Sequence, residues 1–178
     1  MTAEAQVSSR AGAFDETGFR RILGQFATGV TIVTIVDPEG GLSGFTASAF
    51  SSVSLDPPLV LVCVKYGARS YRHLRQQQAF TIHILAADQT RIAHSFAAPG
   101  GDRSMACDWR VNQRGFPILS EFHAALECRL FREYEGGDHA IIVGKVESIH
   151  AQPDGRDPLV SYKGRLFPLG QVGGVRQA

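Results

Sequence analysis

Apolar residues along this chain recur mostly in short runs with strand character, and only three brief stretches have the spacing of a helix. Residues 30–36 are almost all β-branched and precede Asp37-Pro-Glu-Gly-Gly41, so we expect a strand, a tight turn and a returning strand over residues 42–49. Further strands are predicted by the apolar runs at 59–64, 80–85, 124–131, 140–149 and 159–166. The pattern therefore predicts a protein built mainly from β-strands.

The three helical stretches are short. The first is expected to begin after Asp15, which can cap it, and to end at Gly29. Its inward face would consist of the apolar residues at i, i+3, i+4 and i+7: Phe19, Ile22, Leu23 and Phe26. Ser70 and Asp88 are the expected caps of the second and third helices. Tyr71 and Leu74 would face inward from the second helix, and Ile92, Ala93 and Phe96 from the third.

The connections between these segments favour an antiparallel arrangement. Several neighbouring strands are separated only by tight turns, as at residues 135–138, and antiparallel strands are the ones that such turns can join. The helices are too few and too short to be the crossovers of a parallel sheet. No Gly-x-Gly-x-x-Gly follows the first strand, so a Rossmann fold has little support. We therefore expect a mostly β protein with short helices, its six or seven strands forming an antiparallel barrel.

Composition and charge narrow the possible functions. The 178 residues suit one domain, and a net charge of +1 provides no broad basic surface for nucleic acid. No apolar run approaches the roughly 20 residues that cross a bilayer, and three scattered cysteines indicate neither a disulfide framework nor a zinc site. We expect a cytoplasmic protein without a membrane or nucleic-acid partner. Residues 1–14 are interpreted as a disordered polar tail, 15–170 as one domain and 171–178 as a C-terminal tail.

A segment rich in small hydroxyl residues follows the first predicted hairpin. Five hydroxyls occur within nine positions: Thr46, Ser48, Ser51, Ser52 and Ser54. Small side chains let a ligand approach the backbone, and hydroxyl and N–H groups can hold an anion or a polar ring. Pro57 and Pro58 would end this loop and begin the next strand. A Ser-rich turn without a ligand is the alternative interpretation.

Five motifs occur in order along the chain: GQFATGVTIVT at residues 24–34, the hydroxyl segment at 44–61, FTIHIL at 80–85, Gly-Asp-His at 137–139 and Tyr-Lys-Gly-Arg at 162–165. Together they resemble the flavin reductase-like family, over residues 19–170. The resemblance implies a homodimeric split β-barrel with Greek-key strand order. It also implies an enzyme, an NAD(P)H-dependent flavin reductase. Such an enzyme transfers hydride from NADH to FAD or FMN and releases reduced flavin to a separate flavin-dependent monooxygenase.

The same resemblance nominates residues that bind the flavin. Near the ring it implies Thr46, Ala47 and Ser48, with Ser51, Ser52 and Val53 further along. The phosphate contacts would be Lys65, Arg69 and Ser70, and the closing motif adds Arg165. If Ser70 opens a helix, backbone N–H groups and the helix dipole also favour a phosphate there. A solvated surface charge is the alternative for Lys65 and Arg69.

Two histidines are candidates by resemblance. His83 stands where the family commonly has Asn, so contact with the flavin through its backbone is expected more than contact through its ring. His139 follows Gly-Asp and would border the nicotinamide site as the catalytic residue. Its imidazole could hydrogen-bond the carboxamide or serve as a proton source. The alternative is a hairpin histidine held by Asp138.

Other functions stay open at this point. One is a flavin storage or sensor protein without turnover, although storage would not require the nicotinamide site that Gly-Asp-His implies. Another is a split-barrel FMN oxidase of the pyridoxal-phosphate type, which would need a denser cage of Arg and Lys residues. FAD and FMN are not distinguished, and NADH is favoured over NADPH because no Arg cluster for a 2′-phosphate is evident.

Overall fold

The computed structural model of the protein describes residues 15–98, 103, 106–152 and 156–171. Three α-helices lie in this part of the chain, namely α1 (Glu16–Leu23), α2 (Arg69–Gln77) and α3 (Thr90–Ala97). Its strands are β1 (Thr28–Gly29), β2 (Thr31–Val36), β3 (Leu42–Ala47), β4 (Phe50–Leu55), β5 (Pro58–Lys65), β6 (Ala79–Ile84), β7 (Trp109–Val111), β8 (Pro117–Leu119), β9 (Ala124–Gly136), β10 (His139–Ala151), β11 (Leu159–Tyr162) and β12 (Arg165–Pro168). No helix in these ranges is long and apolar enough to span a membrane. The tails expected at 1–14 and, after Gln171, at 172–178 lie outside the described residues.

Seven strands form the main sheet, in the order β3-β2-β6-β9-β10-β5-β4, with every neighbouring pair antiparallel. Its two edge strands, β3 and β4, are consecutive in the chain and joined only by residues 48–49. In a flat sheet, six spacings of about 4.8 Å would separate the edges by roughly 29 Å. The connection spans at most about 11 Å. The sheet must therefore curl until its edges meet at residues 48–49, although β3 and β4 are not hydrogen-bonded to each other as in a closed barrel.

Two apolar clusters pack against the curled sheet. The larger one joins Val33 and Ile35 of β2 to residues of β5, β6, β9, β10 and α2. The second lies under α3 and includes Ile32 of β2. Since alternate residues of a strand face opposite sides, β2 is buried on both faces. This accounts for its almost continuous apolar sequence.

The first predicted helix differs from α1 at its C-terminal end. An end at Gly29 is wrong, because α1 stops at Leu23 and Gly29 belongs to strand β1. The Gly24 N–H still donates to the Arg20 carbonyl at 2.9 Å, but the Gly24 carbonyl accepts the Lys163 N–H at 2.7 Å. The hairpin of β11 and β12 thus occupies, through Lys163, the Gly24 carbonyl that would accept a helical hydrogen bond if α1 continued. The apolar face that we expected in the core is exposed: Phe19, Ile22, Leu23 and Phe26.

The other helices have the expected inward faces but different caps. Leu74 of α2 is fully buried, as predicted, and so are the three apolar residues of α3. The residues at the N-cap positions are Ala68 and Gln89, so the predicted caps Ser70 and Asp88 are wrong. Ser70 is instead the second residue of α2.

The strand predictions are confirmed for β2, β3, β5 and β6 and are incomplete elsewhere. The single segment expected over residues 159–166 is instead a hairpin of β11 and β12 with its turn at 163–164. Residues 50–55, which we expected to form a loop, are the edge strand β4. β7 and β8 lie where no strand was predicted. β9 and β10 have 13 residues each, longer than their apolar runs. In β9 the additional residues, 132–136, are mostly exposed, so no apolar pattern marks them as strand.

The β7–β8 hairpin is fixed to the main sheet by one buried carboxylate. Glu127 of β9 accepts hydrogen bonds from the Asn112 side chain at 2.7 Å and from Arg114 at 3.0 Å. Its Oε1 also lies 2.7 Å from His150 Nε2. The Arg114 guanidinium also donates a hydrogen bond to the Glu147 carboxylate of β10 at 2.8 Å. The turn between β7 and β8 is therefore held by charge-assisted bonds to two strands of the sheet.

Candidate functional site

A cavity of about 630 Å³ lies between strand β3 and the start of helix α2. We call it the β3–α2 cavity. Its lining comprises Asp37, Leu42, Ser43, Gly44, Phe45, Lys65, Gly67, Ala68, Arg69, Ser70, His73, Phe96, Ala97, Ala98 and Arg103. The three residues nominated for a phosphate, Lys65, Arg69 and Ser70, thus line one cavity.

The chemistry at the start of α2 suits an anion. Ser70 is only 6% exposed, yet among the described residues its hydroxyl has no hydrogen-bond partner. No side chain caps α2, and its first turn contains no acidic residue. The first N–H groups of a helix carry partial positive charge and lack intrahelical partners. A phosphate in the cavity would satisfy both these N–H groups and the Ser70 hydroxyl.

Two guanidinium groups add positive charge to the same cavity. Arg69 begins α2, and within the described ranges no carboxylate lies at ion-pair distance from it. Arg103 donates to the backbone carbonyls of Gly44 at 3.0 Å and Ala98 at 2.9 Å, and lies 5.7 Å from the Phe96 ring centre. Burial, together with the positive charge of Arg69, lowers the pKa of Arg103. Two like charges held this close favour a bound anion.

The wall formed by β3 needs glycine at position 44. A Cβ placed there would lie 2.3 Å from the Val33 carbonyl oxygen and 2.9 Å from the Phe96 ring. Gly44 therefore lets α3 and β2 pack against this strand while its own carbonyl receives Arg103. The glycine shapes the cavity wall without touching a ligand itself.

A second cavity, of about 620 Å³, lies on the other side of the β3–β4 connection, and we call it the β4 cavity. It is lined by Arg20, Leu23, Gly24, Phe26, Thr28, Ser48, Ala49, Phe50, Ser51, Leu61, Ser161 and Gly164. Two nominated flavin residues, Ser48 and Ser51, are among them. The hydroxyl segment thus separates two cavities, a cationic one and a more apolar one beside α1.

Several nominated residues line neither cavity. The Thr46 hydroxyl donates to the Ala93 carbonyl at 2.6 Å, which links β3 to α3, and Ala47 is buried. Ser52 and Val53 are exposed on β4. Arg165 is exposed with its guanidinium 5.6 Å from the Phe167 ring centre. Contact of these five residues with a flavin stays a prediction.

The His83 ring is fully buried in the interior of the sheet. Its Nε2 accepts the Leu119 N–H at 3.1 Å, and the ring lies 5.8 Å from that of Phe122. Burial lowers its pKa from 6.5 to about 3, opposed by a hydrogen bond to the Ile32 backbone and assisted by the charge of His150. This neutral ring supports the β8 strand and lines neither cavity. Its strand, β6, has neighbours on both sides, β2 and β9.

His139 is the ladder neighbour of Lys65, which lines the β3–α2 cavity, but it is not itself a lining residue. It is the first residue of β10 and pairs with Lys65 in the ladder, and side chains of paired residues project from the same face. Its Nδ1 is 2.7 Å from Asp138 Oδ1, and Lys65 Nζ is 4.0 Å from Asp138 Oδ2. The hydrogen bond from His139 lowers the pKa of Asp138, so the carboxylate is the acceptor and Nδ1 carries the proton. Nε2 is left for another partner.

Arg103, Phe45 and Asp37 were not nominated from the sequence. Arg103 lies within residues 98–114, a stretch of the sequence without apolar periodicity. Nothing in the local sequence distinguishes Arg103 from other arginines, because its position depends on carbonyl groups of β3 and α3. Across the described residues, no group of three or more His, Cys, Asp or Glu could hold a metal ion.

The fold and the cavity define a β-sheet protein with a site suited to a phosphate-bearing ligand. Comparison with known families gives the class: residues 23–170 match the flavin reductase like domain. The chain belongs to this family, as the motifs of the sequence indicated.

Known relatives agree with this assignment. A probable flavin reductase of Rhizobium meliloti is 45% identical over 82% of this chain and 44% of its own length. HsaB of Rhodococcus jostii, a reductase subunit of a flavin-dependent monooxygenase, is 37% identical over 93% of this chain and 83% of its own. The solved NADH:FAD oxidoreductase SgcE6 of Streptomyces globisporus, in complex with NAD and FAD fragments, has a TM-score of 0.79 and 38% identity, covering 85% of this chain and 91% of that one. This chain spans less than half the length of the Rhizobium relative.

Proposed function

We propose that the protein is an NAD(P)H-dependent flavin reductase that takes hydride from NADH to FAD or FMN. The observation that carries this proposal is the Ser70 hydroxyl, which has no partner among the described residues, at the uncapped start of α2, in a cavity that Arg69 and Arg103 also line, in a chain of the flavin reductase family. A storage protein would need the same phosphate site. The Asp138–His139 pair next to Lys65 of that site favours a reductase, because storage needs no group beside the flavin.

The residues present fit a flavin nucleotide. Ser70, Arg69 and the first N–H groups of α2 would hold its phosphate, and Ser48 and Ser51 lie in the neighbouring β4 cavity for its polar ring edge. When bound, the two nucleotides supply all the redox chemistry, because hydride passes from one to the other. The protein's part is to bind, orient and limit access of water. This fits a site without a nucleophile or a paired acid and base among its lining residues.

We assign His139 to the nicotinamide side of the site. Asp138 holds the Nδ1–H, which directs Nε2 away from the hairpin as the group that contacts the carboxamide or holds a proton. Since Asp138 also lies 4.0 Å from Lys65, one carboxylate connects the histidine to the rim of the phosphate site.

The direct test is to follow the loss of NADH absorbance with and without added FAD or FMN. A reductase consumes NADH only when flavin is present, and in air its turnover exceeds the amount of enzyme many times. Flavin binding without NADH consumption would identify a storage or sensor protein instead. NADPH in parallel measures the nucleotide preference, for which we expect NADH.

We further propose that reduced flavin leaves the protein for a separate monooxygenase in the cytoplasm. The flavin contacts would be mainly hydroxyl and N–H groups with few charges, which suits exchange. The three cysteines are unpaired, as expected for a reducing compartment. With the reductase and a candidate oxygenase on opposite sides of a membrane permeable to flavin, hydroxylation under limiting oxygen should continue. Its complete loss would indicate direct channelling.

We also propose a homodimeric split barrel. The curled sheet with its open edge between β3 and β4 supports the split barrel. The support for the dimer is α1, which buries no residue and whose Leu23 borders the β4 cavity. Val53 and Leu55 of the edge strand β4 are exposed as well. A second copy covering α1 and β4 would bury these residues and complete the β4 cavity.

A further inference from the structure

Asp37 is a carboxylate in the wall of an otherwise cationic cavity. It lies at the turn between β2 and β3, where its Oδ1 accepts the N–H groups of Glu39 at 3.0 Å and Gly41 at 2.6 Å. A Cβ at Gly41 would lie 2.7 Å from Asp37 Oδ2, so this glycine makes room for the carboxylate. Among the described residues, Oδ2 has neither a hydrogen-bond nor an ion-pair partner. The turn therefore holds one acceptor atom free at the edge of the cavity.

A free carboxylate oxygen is the wrong group for a phosphate and a suitable one for hydroxyl donors. It repels an anion, whereas a pair of ribose hydroxyls can donate to it, as in acidic residues that bind dinucleotide riboses elsewhere. Arg69, Arg103 and Ser70 supply the anion site in the same cavity. The lining thus combines a diphosphate-binding part with a hydroxyl-binding part.

The size of the cavity agrees with this division. Its volume of about 630 Å³ is within the range of roughly 300–1,000 Å³ that holds whole small molecules. A terminal phosphate alone would occupy only the part beside α2 and leave the Asp37 part to water. Leu42 and Phe45 add apolar surface to the same lining. The lining therefore matches an adenosine diphosphate group better than a monophosphate.

We propose that Asp37 accepts the ribose hydroxyls of the adenosine half of FAD, and that the β3–α2 cavity thereby selects FAD over FMN. This inference rests on the proposed flavin reductase function and names its specificity residue. NADH carries the same adenosine diphosphate group, so the experiment must separate the two sources.

The experiment measures dissociation constants of FAD, FMN and NADH, each alone, for three proteins: the unmodified chain, Asp37→Asn and Glu39→Gln. Asn keeps an Oδ1 acceptor for the turn and removes the charge. Glu39→Gln removes the same charge from an exposed residue of the same turn. For Asp37→Asn we expect FAD binding to weaken about tenfold while FMN binding is unchanged or tighter. Glu39→Gln should leave both flavins within about twofold, as for a surface charge.

Three results would overturn the assignment. The first is an unchanged FAD affinity in Asp37→Asn, and the second is an equal loss of affinity for FAD and FMN. The third is a loss of affinity for NADH alone, which would show that the cavity binds the nicotinamide nucleotide. Thermal unfolding of each variant excludes a folding defect as the cause. The proposed function fails separately: a protein that binds FAD through Asp37 but consumes no NADH is not a reductase. One that consumes NADH equally well with both flavins, with or without Asp37, refutes only this inference.

Discussion

Ser70 illustrates how one residue combines burial, position and lack of a partner. Polar groups of buried residues normally form hydrogen bonds, whereas the Ser70 hydroxyl, in a residue that lines the cavity, has no partner in the described part of the chain. Removing it should therefore cost little stability and much affinity. A large loss of affinity with a small loss of stability distinguishes a hydroxyl that binds a ligand from one that supports the fold.

We expect Ser70→Ala to weaken flavin binding by about 1.5 kcal/mol, roughly tenfold, as for a hydrogen bond to a charged group. Fluorescence titration of oxidised flavin measures the affinity, and denaturant unfolding measures the stability. Ser95→Ala is the matched control, because the Ser95 hydroxyl donates to the Arg91 carbonyl at 3.0 Å, outside both cavities. Unchanged affinity in Ser70→Ala would remove this hydroxyl from the site.

For His139 the expected effect is kinetic. His139→Ala should raise the KM for NADH or slow the reduction of the flavin, while flavin affinity stays within a few-fold. His94→Ala, a change at an exposed histidine of α3, should leave all three quantities unaltered. If kcat/KM for NADH is the same in His139→Ala as in the unmodified enzyme, His139 has no part in the reaction.

His83 makes the stability of the protein sensitive to acid. Its pKa is about 3 in the folded state against 6.5 as the ordinary value. Between these values the unfolded chain binds a proton that the folded one does not, so stability falls as the pH falls below 6.5. From pH 7 to pH 5 the loss due to His83 is about 2 kcal/mol. Denaturant unfolding at both pH values should show a smaller loss in His83→Asn than in His94→Asn, and equal losses would contradict this account.

For single residues, the sequence indicated which residue types suit a flavin site but not what each residue does in the fold. It nominated Thr46 and Ser70 alike as flavin contacts, and only the fold distinguishes them: the Thr46 hydroxyl is used by Ala93 and that of Ser70 is not. The carbonyl that accepts from Thr46 belongs to α3, far away in the chain, so the sequence around Thr46 does not reveal this hydrogen bond. For the same reason Arg103 could not be nominated.

At the scale of elements, the β7–β8 hairpin depends on a charge rather than on its own strands, which have three residues each. The Glu127 side chain is 2% exposed, and Arg114 neutralises it from the surface. A buried carboxylate that loses its cation keeps its desolvation cost. The hairpin and the sheet beneath it should therefore respond strongly to the loss of Arg114.

We expect Arg114→Ala to lower the free energy of unfolding by about 1–3 kcal/mol, since Asn112 and His150 still bond Glu127. Arg75→Ala, which breaks the more exposed pair with Glu133 at 3.2 Å, should cost less than about 1 kcal/mol. Denaturant unfolding of the two variants measures both. Equal small losses would show that Arg114 is an ordinary surface charge.

Strands with a strong apolar pattern were predictable from the sequence. Elements whose formation depends on contacts with distant parts of the chain were not. β2, β5 and β6 are buried and rich in β-branched residues. β4 was mistaken for a loop because an edge strand has a solvent face that tolerates serines. β7 and β8 are too short to show a period. The apolar spacing of α1 predicts a helix with an apolar face but does not indicate that this face is exposed in the chain.

For the whole molecule, we expect a mass near twice the 19.3 kDa of one chain in light scattering at micromolar concentration. Ile22 is 65% exposed in a single chain, and exposed apolar faces of helices associate. Phe19→Ser with Ile22→Ser should therefore yield monomers. Ile149→Ser, a change at an exposed residue near the end of β10, is the control that should stay dimeric. A single-chain mass for the unmodified protein would refute the dimer.

The pairing of Thr28 with Ser161 has a consequence for synthesis of the protein on the ribosome. Strand β1 leaves the exit tunnel well before its partner β11 has been translated. At roughly 5–20 residues per second, β1 waits on the order of ten seconds for that partner. During this interval the Gly24 carbonyl lacks the Lys163 N–H. Helix α1 can therefore be fixed to the turn between β11 and β12 only after that turn has left the ribosome.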